Sequence, residues 1–114
     1  RSISLAGLGR YWQAIDDLNR AIDIDPGRTE AFVFRVSAWR RVKSPELATE
    51  DIERALRIDP THPGALVESG NIRIDSGDKD GARRDWMKII RLAPWSASAE
   101  TARRNLEKID VKLK

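Results

Sequence analysis

Few residues in this 114-residue chain have the chemistry for catalysis or metal binding, and those that do stand apart. The one histidine, His62, sits in the turn-like segment "DPTHPG", and there is no cysteine. Acid–base catalysis needs a base, an orienting partner and a substrate position within hydrogen-bond reach of one another. A lone loop histidine meets none of those needs and reads as a solvated turn residue. Without thiolates there is neither a disulfide framework nor a cysteine zinc site. No G-x-S-x-G elbow or phosphate-cradling glycine loop is present, and "LAGLG" at 5–9 lacks the preceding strand that a dinucleotide site requires. Gly7 and Gly9 are expected in a turn between paired helices instead. The "DKD" at 78–80 has neither the length nor the glutamate of an EF-hand loop, and helix capping accounts for it better. No catalytic residue, metal ligand or cofactor is assigned, and the chain reads as a non-enzyme.

Burial of apolar side chains must then hold the fold together, and the sequence shows how. "AIDIDP" at 21–26 returns as "ALRIDP" at 55–60 and, loosened, as "IIRLAP" at 89–94, so Pro26, Pro60 and Pro94 follow one another at intervals of 34. Periods of this size mark repeat arrays rather than one globular core. Ahead of each proline, apolar residues recur at i, i+4 and i+7: Ala14, Leu18 and Ala21; Ala48, Ile52 and Ala55; Ala82, Trp86 and Ile89. That spacing lies on one face of an α-helix, with Asp16, Asp17, Glu50, Asp51, Arg84 and Asp85 expected to turn elsewhere. Each proline then stops its helix. Ser44-Pro45-Glu46 and Asp78 after Gly77 mark helix starts. Between stop and start lie further apolar segments, 29–42 and 63–76, each about one helix long. The first is apolar nearly all round, as expected of a helix sandwiched between neighbours. After Pro94 comes one more helix, capped by Ser96 or Ser98, with Ala99, Ala102, Leu106, Ile109 and Leu113 alternating by three and four. It is read as a cap closing the stack rather than as a short coiled coil.

The unit of helix, turn, helix and proline resembles the tetratricopeptide repeat, a 34-residue pattern of W-x2-L-G-x2-Y, then A-x3-F, then P. The second unit supplies Phe32, Arg35, Val36, Trp39, Ala48, Ile52 and Pro60; the third supplies Leu66, Ser69, Gly70, Arg73, Ala82, Trp86 and Pro94. The second half of each unit fits well. In the first half Arg35 and Ser69 stand where the family prefers Leu, Val36 replaces its small residue, and Arg73 replaces its aromatic. The resemblance implies an all-α, helix-turn-helix repeat solenoid: a partial first repeat at 1–26, whole repeats at 27–60 and 61–94, and a capping helix at 95–114. Trp39 and Trp86 then occupy core positions, whereas Trp12 and Trp95, near helix starts, are expected to be partly exposed.

In this family the first helices of successive units line a concave groove that takes peptides. The corresponding faces carry Glu30, Val33, Phe34, Ser37, Arg40 and Arg41 in the second unit and Gly64, Val67, Glu68, Asn71, Ile74 and Asp75 in the third. From these, Val33, Ser37, Arg40, Arg41, Val67, Asn71 and Ile74 are expected to meet a peptide or partner protein. The segment 28–43 holds five basic residues against Glu30 alone, and with Arg73 nearby it suggests a basic patch favouring an acidic peptide. Some members clamp a chaperone's C-terminal carboxylate with Lys, Arg and Asn on these helices. The matching faces here carry Val33, Ser37, Gly64 and Glu68, with only Asn71 of suitable type, so no such clamp is expected.

The net charge, 21 basic less 18 acidic residues, is only +3, which gives little of the phosphate attraction that nucleic-acid binding needs. An RNA-contacting helical array, with Trp12 or Trp95 stacking on bases, is the alternative reading, and the regulatory domain of a larger enzyme a further one. No apolar run approaches the roughly 20 residues that span a bilayer, and the first residues lack a signal-peptide layout. A soluble, cytoplasmic chain without a membrane partner is the preferred reading. A start at Arg1 leaves room for upstream residues, and the incomplete first unit leaves Ile3, Leu5 and Leu8 uncovered. Either those missing residues or a homodimer is expected to cover them.

Overall fold

The computed structural model describes the backbone of residues 5–113 and the side chains of 9–109; within that range there are six α-helices and no strand. Contacts divide the chain between Pro60 and Thr61 into two compact units. The first holds α1 (Leu5–Ile24), α2 (Thr29–Arg41) and α3 (Pro45–Ile58), with α2 packed against both of the others. The second holds α4 (Pro63–Asp75), α5 (Lys79–Leu92) and α6 (Ala97–Leu113); α5 packs against α4 and α6, and α6 also touches α4.

The helix ends follow from the sequence signals. α1, α3 and α5 each stop two residues before a repeat proline, and in each the next amide still reaches back one turn: Asp25 to Ala21, Asp59 to Ala55 and Ala93 to Ile89, at 2.8–2.9 Å. Four starts carry a cap or a proline. Asp78 accepts from the Gly81 amide at 2.9 Å and Ser96 Oγ from the Ala99 amide at 3.1 Å. His62 is likewise a cap, its Nδ1 accepting from the Ala65 amide at 3.1 Å. Ser44 stands at the cap position of α3 but makes no side-chain bond there, leaving Pro45 to start that helix.

Both hairpin turns have one design. After α2, Lys43 adopts φ 61°, its amide donating to Arg40 and the Ser44 amide to Trp39; after α4, Gly77 adopts φ 90°, its amide donating to Ile74 and the Asp78 amide to Arg73. This pair of bonds closes a helix through a left-handed residue. Glycine suits that conformation and lysine does not. Gly9 occupies the same repeat register without a positive φ, and α1 runs through it. The expected turn at Gly7 and Gly9 is therefore corrected: with no left-handed residue to break the ladder, the backbone satisfies itself by continuing one 20-residue helix. Ile3 and the side chains of Leu5 and Leu8, invoked for a homodimer, lie outside the described residues.

The cores form on the expected stripes. Ala48, Ala55, Ala82 and Ile89 have no exposure at all, and Ile52 and Trp86 have 5% and 2%. Ala14 is only half-buried, and Ile15 is the buried residue of α1. Ala99, Ala102 and Ile109 of α6 are buried. Packing explains one departure from the repeat pattern. A Cβ at Gly70 would run into the Trp86 indole, so the large ring of α5 needs a bare backbone opposite. Val36 and Ile52, both buried, occupy the same two registers in the first unit, where a smaller partner admits a larger first-helix residue.

Gly70→Val is expected to cost about 1–3 kcal/mol by overpacking, and adding Trp86→Ile should recover at least half of it in chemical denaturation. A double variant less stable than the single one refutes this pairing. Lys43→Gly, which relieves the left-handed lysine, should raise stability by about 1 kcal/mol, read as an upward shift in Tm.

Candidate functional site

Two carboxylates expected to face outward point inward instead, and they decide which polar groups remain for recognition. Asp51 on α3 is 1% exposed. Arg35 of α2 grips it with two bonds, Nε to Oδ2 at 2.6 Å and Nη2 to Oδ1 at 2.7 Å, while Trp39 Nε1 donates to Oδ2 at 2.8 Å. Arg35 Nη1 also donates to Asn19 Oδ1 of α1 at 2.8 Å, and Arg54 reaches Asp51 Oδ1 at 3.2 Å. Arg35 lies 5.5 Å from the centroid of the Phe32 ring, and Trp12 meets Trp39 edge-on at 5.8 Å. One buried carboxylate thus accepts four bonds from Arg35, Trp39 and Arg54, and Arg35 carries the link on to α1 through Asn19.

The second unit repeats the arrangement with lighter parts. Asp85 of α5, 34 residues after Asp51, accepts from Ser69 Oγ at 2.6 Å and from Arg73 Nε at 3.1 Å, both on α4. Arg73 Nη1 also reaches Asp78 Oδ2 at 3.0 Å. The Gly81 amide first, and the Arg73 guanidinium after it, hold the Asp78 carboxyl below its usual range. Arg35 and Ser69, the two departures from the family's Leu, are the residues these carboxylates require. Asp17 has the same register, but its side chain is 73% exposed and meets Arg20 across one helical turn at 3.8 Å.

The expected basic patch is accordingly corrected. Arg35 is spent inside the first unit, and Arg73 is tied to Asp78 and Asp85. Of the bases between 28 and 43, Arg28, Arg41 and Lys43 are exposed, and Arg40 is half-buried with an interaction of its own. On the rest of the α2 face, Val33 and Ser37 are half-buried, while Phe34, expected within a sandwiched helix, is 60% exposed. On α4, Val67, Asn71 and Ile74 are all half-buried. Each first helix therefore offers a mixed apolar and polar strip beside its packed face. Trp39 is half-buried and Trp86 buried; Trp12 and Trp95 are 49% and 83% exposed. Among the described residues no helix is long and apolar enough to cross a membrane, and no group of three or more His, Asp or Glu is placed to hold a metal ion.

No family model matches the chain. By sequence it is 28% identical over 100 residues, 88% of its length, to RNA polymerase II-associated protein 3 of Xenopus tropicalis. It is 32% identical over 108 residues, 89% of its length, to tetratricopeptide repeat protein 14 of Mus musculus. The chain spans only 15% and 14% of those two proteins. By structure it is similar, with a TM-score of 0.79 and 27% identity, to the first TPR domain of Spaghetti (RPAP3) bound to the HSP90 peptide SRMEEVD, over 92% of this chain and 81% of that one.

Asp51→Ala should cost about 3–5 kcal/mol, because it strands a buried guanidinium and an indole N–H. Arg35→Leu combined with Asp51→Asn removes both charges and keeps an acceptor for Trp39, so that double variant should lie within about 1 kcal/mol of the parent. Urea denaturation of both variants checks the pair; equal losses would show that the ion pair is not what the single substitution breaks.

Proposed function

This chain is a tetratricopeptide-repeat protein, and from that premise we propose that it is a non-catalytic module binding a peptide or partner protein through the first helices of its hairpins. The observation that carries the reading is the division of labour among the polar side chains. His62 and Asp78 cap helices, and Asp51 and Asp85 tie second helices to first ones. Beside these lie the strip on α2, with Val33, Phe34, Ser37 and the exposed Arg41 next to the half-buried, already engaged Arg40, and the strip on α4, with Val67, Asn71 and Ile74. Exposed apolar area beside hydrogen-bonding groups is how proteins hold extended peptides, the former for affinity and the latter for orientation.

Acidic peptides are the proposed class. The exposed Arg41 and Lys43 supply the charge at the end of α2, and the related repeat domain was solved with the acidic sequence SRMEEVD. The residues at 33, 37, 64 and 68 lack the Lys, Arg and Asn of a carboxylate clamp, so recognition here rests on arginine and apolar contacts rather than on a terminal carboxylate.

Fluorescence anisotropy with labelled SRMEEVD, free and C-terminally amidated, tests this. Both forms should bind alike, and Arg40→Glu with Arg41→Glu should weaken binding about tenfold at low salt and less at moderate salt. Unchanged affinity at both salt levels rules out the α2 arginines as a contact.

A further inference from the structure

The α5–α6 side of the second unit keeps both charge and apolar area open to solvent. Arg83, Met87, Ile90 and Arg91 of α5 and Leu106 of α6 line one open cleft. The α5 positions step by four, three and one, which keeps them on a single strip beside the buried Ala82, Trp86 and Ile89. Ile90 and Leu106 are half-buried along the floor, and Met87 is 54% exposed. A flexible thioether at the mouth of an apolar cleft can adapt to different apolar side chains.

Charge around the cleft is predominantly basic, although Glu100 and Glu107 of α6 are exposed. Residues 83–108 hold seven Lys and Arg against three Asp and Glu. Of those three acids, Asp85 is turned to Ser69 and Arg73 on the α4 side, so it does not offset its neighbours on α5. Arg84 and Arg91 are exposed and Lys88 half-buried. An apolar floor between two helices, rimmed by arginine, is complementary to a short acidic segment with an apolar anchor. No aromatic ring lines the cleft to stack a nucleic-acid base. A concave floor also suits a projecting side chain better than a flat lipid surface does.

We propose that the α5–α6 cleft is a second docking surface, which takes an acidic amphipathic peptide by seating an apolar side chain on Met87, Ile90 and Leu106 and placing carboxylates at Arg91 and Arg84. It is separate from the α2 and α4 strips and does not rest on their function.

The chain holds a single methionine, so the Met87 methyl signal is an unambiguous reporter. The probe is a synthetic peptide of Glu and Leu with leucines at i, i+3 and i+4, added to the whole chain carrying 13C-methyl methionine. Expected are a saturable shift of that signal, about tenfold weaker binding for Arg91→Glu and for Met87→Ser by anisotropy, and no change for the Arg40→Glu, Arg41→Glu variant. Circular dichroism confirms that these surface variants fold. The proposal is overturned if the peptide binds without moving the Met87 signal, or if Arg91→Glu leaves affinity unchanged. It is equally overturned if phosphatidylserine vesicles move the signal and the peptide does not, or if sedimentation shows a dimer that buries Met87 in the free protein.

Discussion

A carboxylate taken out of water must be met by donors, and Asp51 is met by four, from three side chains. That requirement governs the first unit more than any apolar contact does, because it is directional. Burying apolar area favours many alignments of two helices, whereas the two parallel bonds from Arg35 accept one. Sliding α3 by a single residue along α2 would separate the charges inside a nearly dry interface, at a cost comparable with the stability of a small domain. Asn19 brings α1 under the same constraint by holding the remaining arm of the guanidinium. The pair thus acts chiefly on specificity, since a well-packed leucine at 35 could bury a similar volume without the desolvation penalty.

The second unit shows that the register matters more than the chemistry. Ser69 stands where Arg35 does and Arg73 where Trp39 does, yet both still turn toward a carboxylate sixteen and twelve residues later. Because Asp85 keeps some exposure, a hydroxyl and a partly solvated guanidinium suffice there, and no fully buried charge arises. The apolar layer varies in the same compensated way. Gly70 goes with Trp86, and Val36 with Ile52, so what is held steady in each hairpin is the sum of two side chains rather than either one.

The period of 34, the proline stops, the last helix and most core positions were legible in the sequence, because each is written in local signals: an i, i+4, i+7 stripe, a proline, a serine or aspartate before a helix. The inward turn of Asp51 and Asp85 was not. Helical periodicity assigns a charged residue to the solvent side by default, and only a pairing sixteen residues away reverses that assignment. The signal was present in two halves, since Arg35 and Ser69 depart from the family pattern at the same interval of 34 as the two aspartates. Either half alone looks like drift. The unbroken α1 was missed for a related reason: glycine permits a turn but does not compel one, and Gly9 lacks the left-handed conformation that makes Gly77 a stop. Of the candidate site, the strips on α2 and α4 could be read from helical spacing, but the charge available on them could not. Arg35 and Arg73 count as free surface bases in any composition, yet in the folded chain Arg35 is largely buried on Asp51, and Arg73, though exposed, is tied to Asp78 and Asp85.

Recognition in such a protein is therefore a remainder. A helical hairpin has few ways to hold itself, and here it uses polar groups for much of the task, so formal charge overstates what a partner can meet. Asp78 illustrates the economy: its backbone amide closes the turn after α4, its side chain caps α5, and its second oxygen holds Arg73. A residue with three structural duties has nothing left for a ligand. By the same logic the groups that do face outward without a packing role, Phe34 and Arg41 on α2 or Met87 and Arg91 on α5, are informative out of proportion to their number. Exposed apolar area lowers solubility and unpaired arginine adds self-repulsion, and neither strengthens the hairpin that carries it. Their placement on one face of each of two separate helices is an arrangement that binding would use and that folding does not require.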